Sequence, residues 1–87
     1  MAALWPADVP AQAVGATIDA GAANCGRLIE LISTTLGTLE MGEILRVVAQ
    51  DPSALVDLPA WCRMRAHRLV AQVELEGHFL FVIKKGA

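Results

Sequence analysis

A chain of 87 residues that is 55% hydrophobic and 18% charged holds enough apolar material for one packed domain, which excludes disorder and leaves no length for a second domain. The formal net charge of −2 gives no global reason to bind nucleic acid or an anionic membrane, so basic character must be local. Apolar runs are broken by Arg, Glu or Gly well before the roughly 18 residues of a membrane span, and no signal-peptide pattern opens the chain, so a cytoplasmic protein is expected.

Residues 1–14 are rich in Ala and Pro, with Pro6 and Pro10, and carry no period of 2 or 3.6. They read as an extended or mobile leader bearing Trp5, ahead of a domain at 15–87. Thr17–Asp19 reads as a short first strand. Leu28, Ile29, Leu31, Ile32, Leu36 and Leu39 then recur at helical spacing, which predicts an amphipathic helix over residues 26 to about 39, closed near Met41-Gly42. Cys25 sits where that helix begins. Unsatisfied N–H groups and the positive end of the macrodipole stabilise a thiolate there, and thiolate is the form of cysteine that does chemistry. Asn24, Gly26 and Arg27 are the supporting positions: small residues around the thiol leave it open, and Arg27 adds positive charge.

Ile44–Ala49, bounded by Gly42 and Asp51-Pro52, reads as a buried strand with Arg46 snorkelling out. Ser53–Ala66 reads as a second helical region. Its main part is expected to start at Asp57 as N-cap, with Pro59 in the first turn. Leu58, Trp61, Cys62 and Arg65 share one face of it, most of which is expected in the core. Asp51 and Asp57 read as turn and cap residues. From Leu69 the period becomes two, Gly77-His78 turns the chain, and Phe79–Ile83 is a continuous apolar strand, together an antiparallel hairpin. The fold class is α+β: a two-layer sandwich of order β-α-β-α-β-β, with two helices packed on one face of a four-stranded mixed sheet.

Cys25 and Cys62 form no CxxC pair, and His67 and His78 complete no zinc spacing, so free thiols are expected and no metal or cofactor. Burial in the apolar stripe is the ordinary fate of Cys62. Arg63, Arg65 and Arg68, with Arg27 and Lys84-Lys85, read either as a positive surface for an acidic partner or as a solvated face. There is no tyrosine and no aromatic interleaving, so direct nucleic-acid readout is not expected. His67, at the junction of helix and strand, is placed to cap a terminal carbonyl, and His78 lies in an exposed turn.

The frame Thr17-Ile18-Asp19…Cys25, Met41-Gly42-Glu43, Asp51-Pro52, Asp57-Leu58-Pro59-Ala60-Trp61-Cys62, His67-Arg68-Leu69 and Val82-Ile83-Lys84-Lys85 resembles the TusA/SirA-like sulfur-carrier family over about residues 17–85. The resemblance implies a carrier rather than a stand-alone enzyme. Cys25 would take sulfur as a persulfide from a cysteine desulfurase or rhodanese-like donor and pass it to an acceptor protein, as in tRNA thiolation or sulfur metabolism. The family's Cys-Pro-x-Pro stands here as Cys25-Gly26-Arg27-Leu28, without either proline, and Ala22 occupies the place of its upstream glycine. A non-catalytic interaction module of the same fold, or a thiol-based redox regulator, are the alternatives this departure raises.

Overall fold

The computed structural model describes residues 14–86, and its elements run β1 (Val14–Asp19), α1 (Cys25–Leu36), β2 (Ile44–Ala49), α2 (Ala54–Met64), β3 (Arg68–Leu75) and β4 (His78–Lys84). The leader and Trp5 lie outside the described residues, except that Val14 already belongs to β1, ahead of the expected Thr17. The strands form one mixed sheet in the order β1-β2-β4-β3, with β1 parallel to β2 and the other pairs antiparallel. A parallel neighbour needs a crossover, and α1 supplies it. Leu75 pairs with His78 across a two-residue turn, Glu76-Gly77, in which Gly77 takes φ 68°, a conformation that costs glycine nothing. No described helix is long and apolar enough to cross a membrane.

Alternation sorts each strand into two faces. Leu45, Val47 and Ala49 of β2 join Phe79, Phe81 and Ile83 of β4 in a single cluster with Leu28, Ile32 and Leu36 of α1 and with Leu58, Trp61 and Cys62 of α2. Both helices therefore pack on one face of the sheet, as the apolar periodicities require. Arg65, the last member of the expected α2 stripe, is exposed, because the helix has ended by then.

Three helix boundaries differ from expectation, each for a local reason. The first helix stops at Leu36, not near Leu39: Gly37 donates to Ser33 O, and the next residues close turns, Thr38 N–H to Thr35 O and Leu39 N–H to Leu36 O. Leu39 keeps its apolar contact from the turn. The second helix starts at Ala54, so Asp57 is not its N-cap but an acidic residue of its first turn. The start is organised by Asp51, whose Oδ1 accepts from Ser53 N–H at 3.0 Å and from Ser53 Oγ at 2.9 Å, after which Asp57 N–H donates to Ser53 O. Pro59 thus sits inside the helix, which forgoes one backbone hydrogen bond there. The second helix also stops at Met64, short of the expected Ala66: Ala66 takes φ 61° just past it, His67 N–H donating to Cys62 O and Ala66 N–H to Arg63 O. This is the Schellman closure, built here without its usual glycine.

Candidate functional site

The N-terminal end of α1 is approached through a short loop tied to the sheet. Asp19 Oδ1 accepts from Gly21 N–H at 3.1 Å, and Gly21 takes φ 55°. Ala20 N–H donates to Val48 O, Gln50 N–H to Gly21 O, and Ala23 N–H to Ala20 O. These bonds carry the chain off β1 and deliver Asn24 in extended conformation, φ −71° and ψ 169°, as the N-cap of α1. Asn24 Oδ1 accepts from Arg27 N–H at 2.9 Å, and Asn24 O accepts from Leu28 N–H at 2.9 Å. The side-chain cap satisfies one of the early donors of the helix.

Cys25 is the first residue of α1, as the sequence indicates. At that position the backbone N–H groups of Cys25 and Gly26 have no intrahelical acceptor, and the first turn contains no acidic residue. Both features favour negative charge at the helix start. Arg27, expected to add a full positive charge, instead forms an ion pair with Glu30 one turn along the exposed helix surface. Its charge is largely offset. Gly26 is exposed, and a Cβ built on it would meet only Asn24 Oδ1, at 3.6 Å, so space does not demand glycine.

Leu28 explains why a proline is missing. It is 0% exposed in the core, and its N–H holds the first helical hydrogen bond. Proline there would remove both the bond and the side chain that anchors α1 to the sheet. Here the first turn is fixed by a cap and a core leucine.

Cys62 is a free, buried thiol on the inner face of α2, and burial pushes its pKa up to about 11. A thiol held neutral in apolar surroundings packs and does not react.

The remaining sequence candidates gather at the opposite end of the helical layer. Arg65, His67 and Lys85 line a 260 Å³ depression with Trp61 and with Ser33, Leu36 and Gly37 from the C-terminal end of α1. Arg68, Lys84 and Lys85 line a second, neighbouring one. Twelve residues of helix put this end about 17 Å along α1 from Cys25. Arg63 lies exposed in the last turn of α2, and Arg27 lies at the other end of α1. The structure thus brings Arg65 and Arg68 together with the two lysines, and apart from Cys25. Of these cations, Arg65 is the C-cap residue of α2, where positive charge is favourable, and Lys85 Nζ donates to Leu39 O at 2.6 Å, just beyond α1.

His67 does cap a carbonyl, with its backbone N–H. Its ring lies tilted against Trp61, centroids 5.5 Å apart, and its Nδ1 accepts from Gly86 N–H at 3.2 Å. Burial, then the charges of Lys85 and Arg65, hold its pKa below the ordinary imidazole value. His78 is exposed, with Nδ1 3.0 Å from Glu76 O. No group of three or more His, Cys, Asp or Glu among the described residues is arranged to hold a metal.

Two residues of the quoted frame, Asp19 and Lys85, make contacts that the motif alone does not indicate. Asp19 shapes the loop before Cys25, and its signal was the Asp-x-Gly spacing of an Asx turn. Lys85 staples the far end, and nothing local in its sequence indicates the contact with Leu39.

Comparison with known proteins completes the description. The family model for the sulfurtransferase TusA matches residues 16–85. Among relatives named "Sulfur carrier protein TusA", one from Pseudomonas putida strain W619 is 36% identical over 72 residues, covering 83% of this chain and 90% of its own. Another, from Pseudomonas aeruginosa strain LESB58, is 36% identical over 76 residues, covering 87% and 96%. A third, from Pseudomonas entomophila strain L48, matches at 36% over 72 residues.

Proposed function

The chain belongs to the TusA sulfurtransferase family, and on that premise we propose that Cys25 is the thiol on which it carries sulfur, as a persulfide, between two proteins. The role is that of a sulfur carrier. In the loading step the Cys25 thiolate attacks the terminal sulfur of a donor cysteine persulfide. A new S–S bond forms at Cys25, the donor's S–S bond breaks, and its electron pair leaves with the donor thiolate. Unloading repeats the exchange with the acceptor as nucleophile. Sulfur moves at one oxidation level, so no cofactor is needed, and a larger thiolate fraction at Cys25 speeds the loading step.

The observation that carries this reading is the position of Cys25: first residue of a helix of the matched family domain, beside N–H groups without intrahelical acceptors and with no carboxylate in the first turn. The donor is a cysteine desulfurase or a rhodanese-like protein, and the acceptor is a second protein of a tRNA-thiolation or other sulfur-metabolic route. Neither step requires contact with nucleic acid or membrane. The exchange belongs in the cytoplasm, where thiols stay reduced.

Incubating the protein with a cysteine desulfurase and cysteine, then weighing the intact chain, should show a gain of one sulfur atom. Cys25→Ser should abolish the gain and Cys62→Ser should keep it. A wild-type chain that takes no sulfur from either class of donor would refute the proposal. If Cys25→Ser still captured a partner as well as wild type did, while neither gained sulfur, the chain would be an interaction module.

A further inference from the structure

The end of the molecule away from Cys25 carries two depressions that share Lys85 as a wall. One, of 260 Å³, is lined by Arg65 and His67 with Trp61, and the other, of 430 Å³, by Arg68 and Lys84 with Met41. Arg65, Arg68 and Lys84 are exposed, and among the described residues no carboxylate pairs with them. Lys85 gives one donor to Leu39 O and keeps its charge. Glu40 and Glu43, which follow α1 at this end, line neither depression, and Glu43 Oε1 is occupied by Glu40 N–H. Like charges gathered in this way repel one another. The imidazole of His67 registers the field, since after burial it is the charges of Lys85 and Arg65 that hold its pKa below the ordinary value.

We infer that this end is a docking surface for an acidic segment of a partner polypeptide, lying extended across both depressions with its carboxylates against Arg65, Arg68, Lys84 and Lys85. Charge complementarity selects the sign of the occupant. Two adjoining depressions suit a run of residues, whereas a single small anion would occupy one. Leu36 and Gly37 bring the carbonyl end of α1, the negative end of its macrodipole, to the edge of the first depression. A peptide has N–H donors to set against carbonyls, and a phosphate group has only acceptors. Nucleic acid fits less well for a second reason. Unpaired bases need rings on which to stack, and among the described residues Trp61, Phe79 and Phe81 are all buried, with no tyrosine in the chain. Met41, 72% exposed, offers an apolar contact to a side chain between the carboxylates. The surface lies about 17 Å along α1 from Cys25, so a partner anchored here leaves the helix start open.

The test uses the full-length chain and a capped deca-glutamate peptide. Magnetic-resonance shifts on adding the peptide should gather at Gly42, Trp61, His67, Lys85 and Gly86, and the affinity should fall steeply as salt rises from about 50 mM to about 500 mM. Arg65→Glu and Arg68→Glu should each weaken binding about fivefold. Arg63→Glu makes the same change of charge at a residue that lines neither depression, and should weaken binding less than about twofold. No shifts, shifts centred on the first turn of α1, or equal losses from Arg63→Glu and Arg65→Glu would overturn the inference. So would displacement of the peptide by inorganic phosphate at equal concentration of charge, or tighter binding of a single-stranded RNA at the same residues. The readout needs no sulfur on Cys25, so its failure and the failure of sulfur loading are distinguishable.

Discussion

The two ends of the helical layer are held by different means. At the Cys25 end, the loop is tied to the neighbouring strand by backbone bonds of Ala20 to Val48 and Gln50 to Gly21, but the first turn of α1 itself is held by one side-chain cap, Asn24 Oδ1 accepting from Arg27 N–H. At the other end, the backbone is fastened repeatedly: Gly42 N–H to Lys85 O, Lys85 N–H to Glu43 O, Lys85 Nζ to Leu39 O, Gly86 N–H to His67 Nδ1, and the Schellman bonds that close α2. On the proposal that Cys25 carries sulfur between two proteins, a first turn held by a single side-chain cap leaves the helix start free to adjust while the rest of the fold is anchored elsewhere. The contrast places stability at one end and access at the other.

Substitutions at each end can break or sharpen this contrast. The largest effect is expected at the one immovable point near Cys25. Leu28→Pro removes a helical hydrogen bond and a fully buried side chain, so a loss of more than about 3 kcal/mol and a collapse of the far-ultraviolet helix signal should follow. Survival of the fold would mean that the first turn is looser than its core contact indicates. Next comes the stapled end, where a Cβ on residue 86 would stand 2.1 Å from Ala66 O. Gly86→Ala should cost about 1–2 kcal/mol in urea unfolding and release the bond to His67. Asn24→Ala removes the only side-chain cap of α1 and should cost about 1 kcal/mol by the same measurement. If it costs more than Gly86→Ala, the assignment of stability to the far end is wrong.

The smallest effect is a pH dependence. His67 in the folded protein titrates below its ordinary value of 6.5, so the unfolded chain binds the proton more readily. Its contribution to stability is complete above pH 6.5 and is lost as the pH falls from there toward the folded-state value. Urea midpoints measured from about pH 8 down to pH 5 should decline over that window, and His67→Gln should flatten the decline.

Much of this fold was readable in advance because its apolar periods are clean. β2 was delimited to the residue by its β-branched run between Gly42 and Asp51, and the hairpin by its switch to period two around Gly77. Ends were read less well where one residue type has two structural uses. Leu39 continues the helical period from a turn, Asp57 has the chemistry of a cap without being one, and Pro59 suggested a helix start that lies five residues earlier, at Ala54. Ala16 looks like loop and becomes strand because β2 pairs with it, and Gly15 is carried along in the bulge between Val14 and Ala16. For the site, the helix start at Cys25 was local and legible. The separation of the arginines from it, and the pairing of Arg27 with Glu30, depend on how helices are cut and placed, which composition does not encode.

The parallel pairing of β1 with β2 has a consequence for the order in which the molecule assembles. β3 and β4 meet across two residues, while β1 finds β2 only after α1 and its loops have formed, so chain closure makes the first pairing fast and the second slow. The segment that carries Cys25 is then expected to order after the β3–β4 hairpin and to open before it. Native-state amide exchange should find Val14–Asp19 and the first turn of α1 exchanging through partial opening, with β4 protected until global unfolding. Equal protection in both would place the crossover inside the folding nucleus instead.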